Sequence, residues 1–100
     1  AKVEKAEINL WMNYLGLYVE YLCISHSKAT NKEVDVIIEV CPNLYSLEIN
    51  ANPDILINKK LVTKLIQKCT RIQELNIGQT KTTLDGLALL KSKILNLIVK

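Results

Sequence analysis

Apolar residues recur in one spacing, apolar-x-x-Leu-x-(Ile or Val), four times along the chain: Val19-Leu22-Ile24, Leu44-Leu47-Ile49, Ile72-Leu75-Ile77 and Ile94-Leu97-Val99. Alternate apolar positions put both side chains on one side of a short strand. The central leucines follow one another at intervals of 25, 28 and 22 residues, so the pattern is an internal repeat. Between the copies the period changes from that of a strand to that of a helix. In residues 31–41 the apolar set Val34, Ile37, Ile38 and Cys41 falls at i, i+3, i+4 and i+7. Residues 60–69 repeat the design with Leu61, Val62, Leu65, Ile66 and Cys69, and residues 84–90 with Leu84, Leu87, Ala88 and Leu90. Each predicts a helix of about two to three turns with one face turned inward.

Start and stop signals agree with these periods. Thr30-x-x-Glu33 and Thr82-x-x-Asp85 have capping-box spacing, and Asn58 is placed to cap a helix that follows it. Pro42 cannot continue a helix through Cys41, and Pro53 breaks the chain after the second strand copy. Residues 3–15, with Ile8, Trp11, Met12 and Leu15 on one face, predict a longer helix closed by Gly16. Its register slips by one residue against the later helices. Residues 1–16 therefore read as a cap, or as the end of a preceding unit, and residues 17–100 as the repeats of a single domain. The implied class is α/β: about four short parallel strands alternating with helices, sheet on one face and helices on the other.

Composition narrows the function. No apolar run approaches the ~18 residues needed to span a bilayer, and no charged segment leads into an apolar one at the start. Ala1 in place of a methionine, and Lys100 directly after the last strand copy, read as a fragment or incomplete array. The net charge of +3, from 13 basic and 10 acidic residues, is too small to demand nucleic acid or anionic lipid. Only Arg71 among the cations is arginine, which weakens a specific nucleic-acid reading further. The three cysteines, Cys23, Cys41 and Cys69, form no C-x-x-C pair and no even set, which argues against a disulfide framework or a zinc site. Reduced thiols fit an intracellular setting, cytoplasmic or nuclear.

The residues from 16 to 100 resemble the cysteine-containing leucine-rich repeat found in ribonuclease-inhibitor-like arrays and F-box leucine-rich-repeat proteins. Cys41 stands three residues before Leu44 and Cys69 three before Ile72, matching that subtype's C-x-x-L-x-x-L-x-L line. Residues 30–38 and 58–66 fall where the family begins its helix. The family's Asn or Cys, three residues after the last strand anchor, is Asn52. Ser27 and Thr80 stand there in the first and third copies, and Gly16 and Lys91 replace the repeat cysteine in the outer ones. The resemblance implies a solenoid scaffold for protein–protein interaction, one version of which recruits substrates as a ubiquitin-ligase adaptor. No F-box helix pattern is identifiable, and residues 3–15 are too few to form one.

Candidate chemistry reduces to packing. Cys41 and Cys69 occupy equivalent ends of apolar helical faces, where a thiol acts as a small hydrophobe. His26, flanked by Ser25 and Ser27, sits at a strand end, where adjacent residues cannot form a catalytic pair with its carboxylate and oxyanion donors. Gly78 and Gly86 belong to no phosphate-cradling motif. No catalytic, cofactor-binding or metal residues are assigned, and the chain is read as no enzyme.

Strand positions flanking the leucines point away from the core, onto what the resemblance makes a concave face: Tyr21, Cys23 and Ser25; Ser46, Glu48 and Asn50; Glu74, Asn76 and Gly78; Asn96 and Ile98. This surface is polar and mildly acidic, suited to a protein partner and repellent to a phosphate backbone. Tyr21 and Tyr45 add aromatic anchors at one end. The leading expectation is a non-catalytic interaction module contacting its partner through Tyr21, Cys23, Ser25, Tyr45, Ser46, Glu48, Asn50, Glu74, Asn76 and Asn96. An alternative is a structural unit docked through its repeat ends in a larger assembly, since the last strand offers an open pairing edge. A third is RNA contact through Lys59, Lys60, Lys64 and Lys68.

Overall fold

The computed structural model describes residues 5–99. Four α-helices, α1 (Lys5–Leu15), α2 (Asn31–Val40), α3 (Lys59–Lys68) and α4 (Leu84–Lys93), alternate with six short strands. The strands are β1 (Tyr21–Cys23), β2 (Ser46–Glu48), β3 (Leu56–Ile57), β4 (Glu74–Asn76), β5 (Lys81–Thr82) and β6 (Asn96–Ile98). The fold is α/β. Each apolar tetrad yields one strand of a four-stranded sheet ordered β1-β2-β4-β6, parallel throughout. Leu22, Leu47, Leu75 and Leu97 stand opposite one another across it. Parallel neighbours need a crossover connection, and α2, α3 and α4 supply the three.

The leucines of the first three strands and the isoleucines two residues on, Ile24, Ile49 and Ile77, are buried. They form one core with Val34, Ile37 and Ile38 of α2, Leu61, Val62 and Leu65 of α3 and Leu90 of α4. Leu97, on the outermost strand, is only partly buried. Successive helices pack on one another, α1 on α2, α2 on α3 and α3 on α4.

The caps of α2 and α3 form where their sequence signals lie. The Thr30 backbone N–H and hydroxyl both donate to Glu33 Oε1, at 2.8 and 2.9 Å, and the Lys32 N–H donates to Thr30 Oγ1. Asn58 Oδ1 accepts the Leu61 N–H at 2.9 Å. The start of α4 differs from the expectation by one residue. Thr82 belongs to β5, opposite Ile57, and Thr83 is the cap, its hydroxyl accepting the Gly86 N–H at 3.2 Å. Leu84 becomes the first residue of α4 and is 89% exposed, Ala88 is exposed too, and the inward side is Gly86 and Leu90 with Leu87 and Leu89 partly covered. Gly86 lets α4 approach the chain before α3 closely, since a Cβ there would lie 2.8 Å from the Ile57 carbonyl oxygen and 2.9 Å from the Asn58 carbonyl carbon.

The first helix also has a narrower inner face than its period implies. Ile8 and Met12 are buried, whereas Trp11 and Leu15 are 45% and 44% exposed. Val3 lies outside the described residues. Gly16 does not close α1 in a left-handed conformation; it opens a 3-10 turn, Gly16–Tyr18, with φ outside the positive region. Its lack of a side chain serves a close approach instead, since a Cβ would stand 2.2 Å from the Val40 carbonyl oxygen.

The connections leaving the sheet share one construction. His26, Ala51 and Gln79, each four residues past a core leucine, adopt left-handed backbone with φ of 56°, 57° and 56°. The next residue then bonds back to the carbonyl three positions earlier: Ser27 Oγ to Ile24 O at 2.6 Å, Asn52 Nδ2 to Ile49 O at 3.0 Å and Thr80 Oγ1 to Ile77 O at 2.6 Å. Ser27 and Thr80 thus make with a hydroxyl the local bond that Asn52 makes with an amide. Asn52 reaches further, donating to Ile24 O at 3.0 Å and accepting the backbone N–H groups of Ser27 and Ala29 at 3.2 and 2.9 Å. The connections entering the sheet also match in part. Cys41 and Cys69 end α2 and α3, and turns closed by Leu44 N–H to Cys41 O and Ile72 N–H to Cys69 O follow. The last connection omits this turn: 14 residues separate Thr83 from Leu97, against 17 from Thr30 to Leu47 and from Asn58 to Leu75.

Candidate functional site

With the helices on one side, the other side of the sheet is an open surface whose rows follow from the register. Tyr21, Ser46, Glu74 and Asn96 form one row, and Cys23, Glu48, Asn76 and Ile98 the next. Tyr21, Glu48, Asn96 and Ile98 are exposed, while Cys23, Ser46, Asn50, Glu74 and Asn76 are half-buried. Ser46 is the small residue between the larger side chains of Tyr21 and Glu74.

Ser25 departs from the expected outward display. It is buried, its hydroxyl donating to Asn50 Oδ1 at 2.6 Å and receiving the Cys23 thiol at 3.2 Å. The chain is leaving β1 at this point, so Ser25 links laterally to the neighbouring strand rather than facing solvent. Asn50 is committed to the same link. Asn76 Oδ1 likewise accepts the Gly78 N–H at 3.1 Å. Tyr45 precedes β2; its ring centroid lies 5.6 Å from that of Tyr21 with the planes tilted by 51°, and its hydroxyl donates to Gln73 Oε1 at 3.4 Å.

A depression of about 190 Å³ opens on this face, bounded by Ser46, Glu48, Glu74, Asn76, Asn96 and Ile98 together with Leu47 and Leu75. A second, of about 370 Å³, lies where the chain enters the strands and is lined by Glu20, Asn43, Tyr45, Thr70, Arg71 and Gln73. Apart from Tyr45, these residues lie outside the expected surface. Their sequence signal is that Glu20 and Gln73 precede Leu22 and Leu75 by the same two residues as Tyr45 precedes Leu47.

Charge is segregated. No residue of β1, β2, β4 or β6 is Lys or Arg, and Glu48 and Glu74 supply the carboxylates. The lysines of α3 lie in the helical layer, and two of the four expected to form a basic group are engaged there. Lys64 pairs with Asp35 at 3.5 Å and Glu39 at 3.3 Å, and Lys68 pairs with Glu39 at 3.2 Å. Hydrogen bonds from Lys68 and then Lys64 hold the Glu39 carboxyl below the ordinary carboxylate range, and Glu39 in turn raises Lys64.

The other candidate groups are placed as follows. Cys41 and Cys69 are fully buried, and burial pushes both thiols up to about 11, with Cys69 adding to the effect on Cys41. Cys41 Sγ lies 3.6 Å from Met12 Sδ, and Cys69 Sγ reaches the Cys41 carbonyl at 3.4 Å. His26 is exposed in its left-handed turn. Among the described residues no three His, Cys, Asp or Glu side chains gather as a metal site, and no helix is long and apolar enough to cross a membrane. Comparison of the chain with protein-family models, curated proteins and solved structures gives no match.

Proposed function

We propose that this chain is a leucine-rich-repeat solenoid of the cysteine-containing type, acting as a non-catalytic protein-interaction module whose contact surface is the open face of the sheet. The observation that carries the reading is the register: the in-line leucines turn toward the core, so the flanking rows are displayed side by side on a face that no element among the described residues covers. Tyr21, 59% exposed and leaning on Tyr45, supplies an aromatic anchor of the kind enriched in interfaces. Affinity capture from a native extract tests it. The full chain is compared with one altered on the open face (Tyr21→Ala, Glu48→Ala, Glu74→Ala) and one altered on the helical side (Lys60→Ala, Lys91→Ala). A partner lost only with the first variant supports the reading; a partner lost only with the second refutes it.

A second reading is docking through the two ends of the stack. Leu84, Leu95, Ile98 and Val99 are exposed at one end, Leu95 to 75%, and Leu10, Trp11, Tyr14, Leu17 and Tyr18 at the other. Exposed apolar surface, where it is contiguous, marks contact sites. A chain that self-associates in light scattering, and is returned to monomer by Leu84→Lys and Leu95→Lys, favours this reading over the first.

A further inference from the structure

The open face carries charge of one sign. Glu74 stands opposite Ser46 and Glu48 opposite Asn76, so the two glutamates are diagonal neighbours on adjacent strands. With parallel strands about 4.8 Å apart and a rise of about 3.3 Å per residue, such positions lie about 8 Å apart, within reach of one shared cationic head group. The ion pairs of Lys64 and Lys68 with Asp35 and Glu39 lie between α2 and α3, and neither glutamate of the open face takes part in them. Beside them is the depression of about 190 Å³, with the Asn76 and Asn96 amides and the apolar Ile98 on its rim. That is below the roughly 300–1,000 Å³ of pockets that enclose small molecules, and it suits one side chain entering from an extended chain.

We infer that the partner segment taken by this face is an extended stretch of protein that places a lysine or arginine over the depression, its cation shared by Glu48 and Glu74 and its aliphatic stem against Ile98. This rests on the reading of the open face as the contact surface. Charge complementarity selects the occupant: the same carboxylates repel phosphate, and no cation on the four strands competes for them.

The test is selection of a displayed pool of random peptides on the full chain. Affinities of the selected peptides are then measured by fluorescence anisotropy for wild type, for the isosteric E48Q/E74Q, for the single reversal Glu48→Lys and for Ser46→Trp, which fills the depression. Melting curves establish that each variant folds. The expected result is convergence on one basic residue, with affinity falling by about tenfold or more in E48Q/E74Q, as for loss of a charge-assisted contact, and falling again in Glu48→Lys. Peptides without a basic residue, or basic ones indifferent to both glutamate variants, overturn the inference. If Ser46→Trp still blocks those peptides, the open face remains the contact surface and only its basic partner is lost. Peptides indifferent to every variant, or a pool that yields no binder, overturn both.

Discussion

The side-chain amide of Asn31 pairs with both backbone groups of Leu56: Nδ2 donates to the Leu56 carbonyl at 2.9 Å, and Oδ1 accepts the Leu56 N–H at 2.7 Å. One residue at the start of α2 thereby does for β3 what a neighbouring strand would do. With β5 bonded to β3 on its other side, β3 has partners on both of its edges.

Replacing Asn31 by alanine should cost about 1–2 kcal/mol, the net value of two hydrogen bonds, whereas Lys32→Ala beside it should stay within about 0.5 kcal/mol. Urea unfolding of the two variants decides the matter. Equal midpoints would mean that water replaces the Asn31 amide without loss.

Asn52 should be far more costly to change. It is fully buried, and its truncation leaves the Ser27 and Ala29 N–H groups without their side-chain acceptor. Asn52→Ala is expected to lose about 3 kcal/mol. Asn52→Ser, which imitates Ser27 by keeping only the local bond to Ile49, should recover little of that. Recovery of most of the stability by serine would show that the bonds across to the β1 connection contribute little.

Thiol chemistry should divide the cysteines. Cys41 and Cys69 are buried and raised to about 11, so in the folded protein near neutral pH neither offers an accessible thiolate. A thiol reagent should modify Cys23 first and the other two only as urea unfolds the chain. Fast modification of Cys41 or Cys69 in the native protein, read by peptide mass mapping, would contradict the packing described above.

The Glu39 cluster sets a pH dependence whose sign is fixed. The folded-state carboxyl is lowered, so its contribution is present above the ordinary glutamate range and disappears as pH falls through the folded value. Lys64 is raised, so its contribution is present below the ordinary lysine range and is lost as pH rises through the folded value. The stability gap between wild type and Glu39→Gln should therefore be widest near neutral pH, close in acid, and shrink with added salt. A gap independent of pH would mean that the pairs with Lys64 and Lys68 add nothing to stability.

Much of this architecture is legible in the chain because it is written in local periods. The tetrads name all four strands of the sheet, and the faces of α2 and α3 emerge with Thr30 and Asn58 as their caps. What escapes depends on distant partners. The β3–β5 ladder joins residues 25 apart and has only two per strand, too few for a period to show. Thr82 reads as the cap by its spacing to Asp85, but pairing in β5 claims it, and Thr83 caps a helix whose first residue, Leu84, is exposed. On the open face, strand alternation places Tyr21, Glu48, Asn96 and Ile98 in solvent as expected. It misplaces Ser25, whose burial depends on an Asn50 that lies 25 residues away.

Asn52 also sets a direction along the stack. Its amide bolts the β2 connection to the β1 connection, whereas Thr80, the corresponding residue after β4, bonds only to its own Ile77. The β1–β2 step therefore has a strut that the β2–β4 step lacks, and the outermost strand β6 carries a partly bare leucine at 97. Thermal opening should start at α4 and β6 and travel inward, leaving the Asn52 region as the last to exchange its amides. Hydrogen-exchange rates along the chain check this; uniform rates would mean that the molecule opens as one unit.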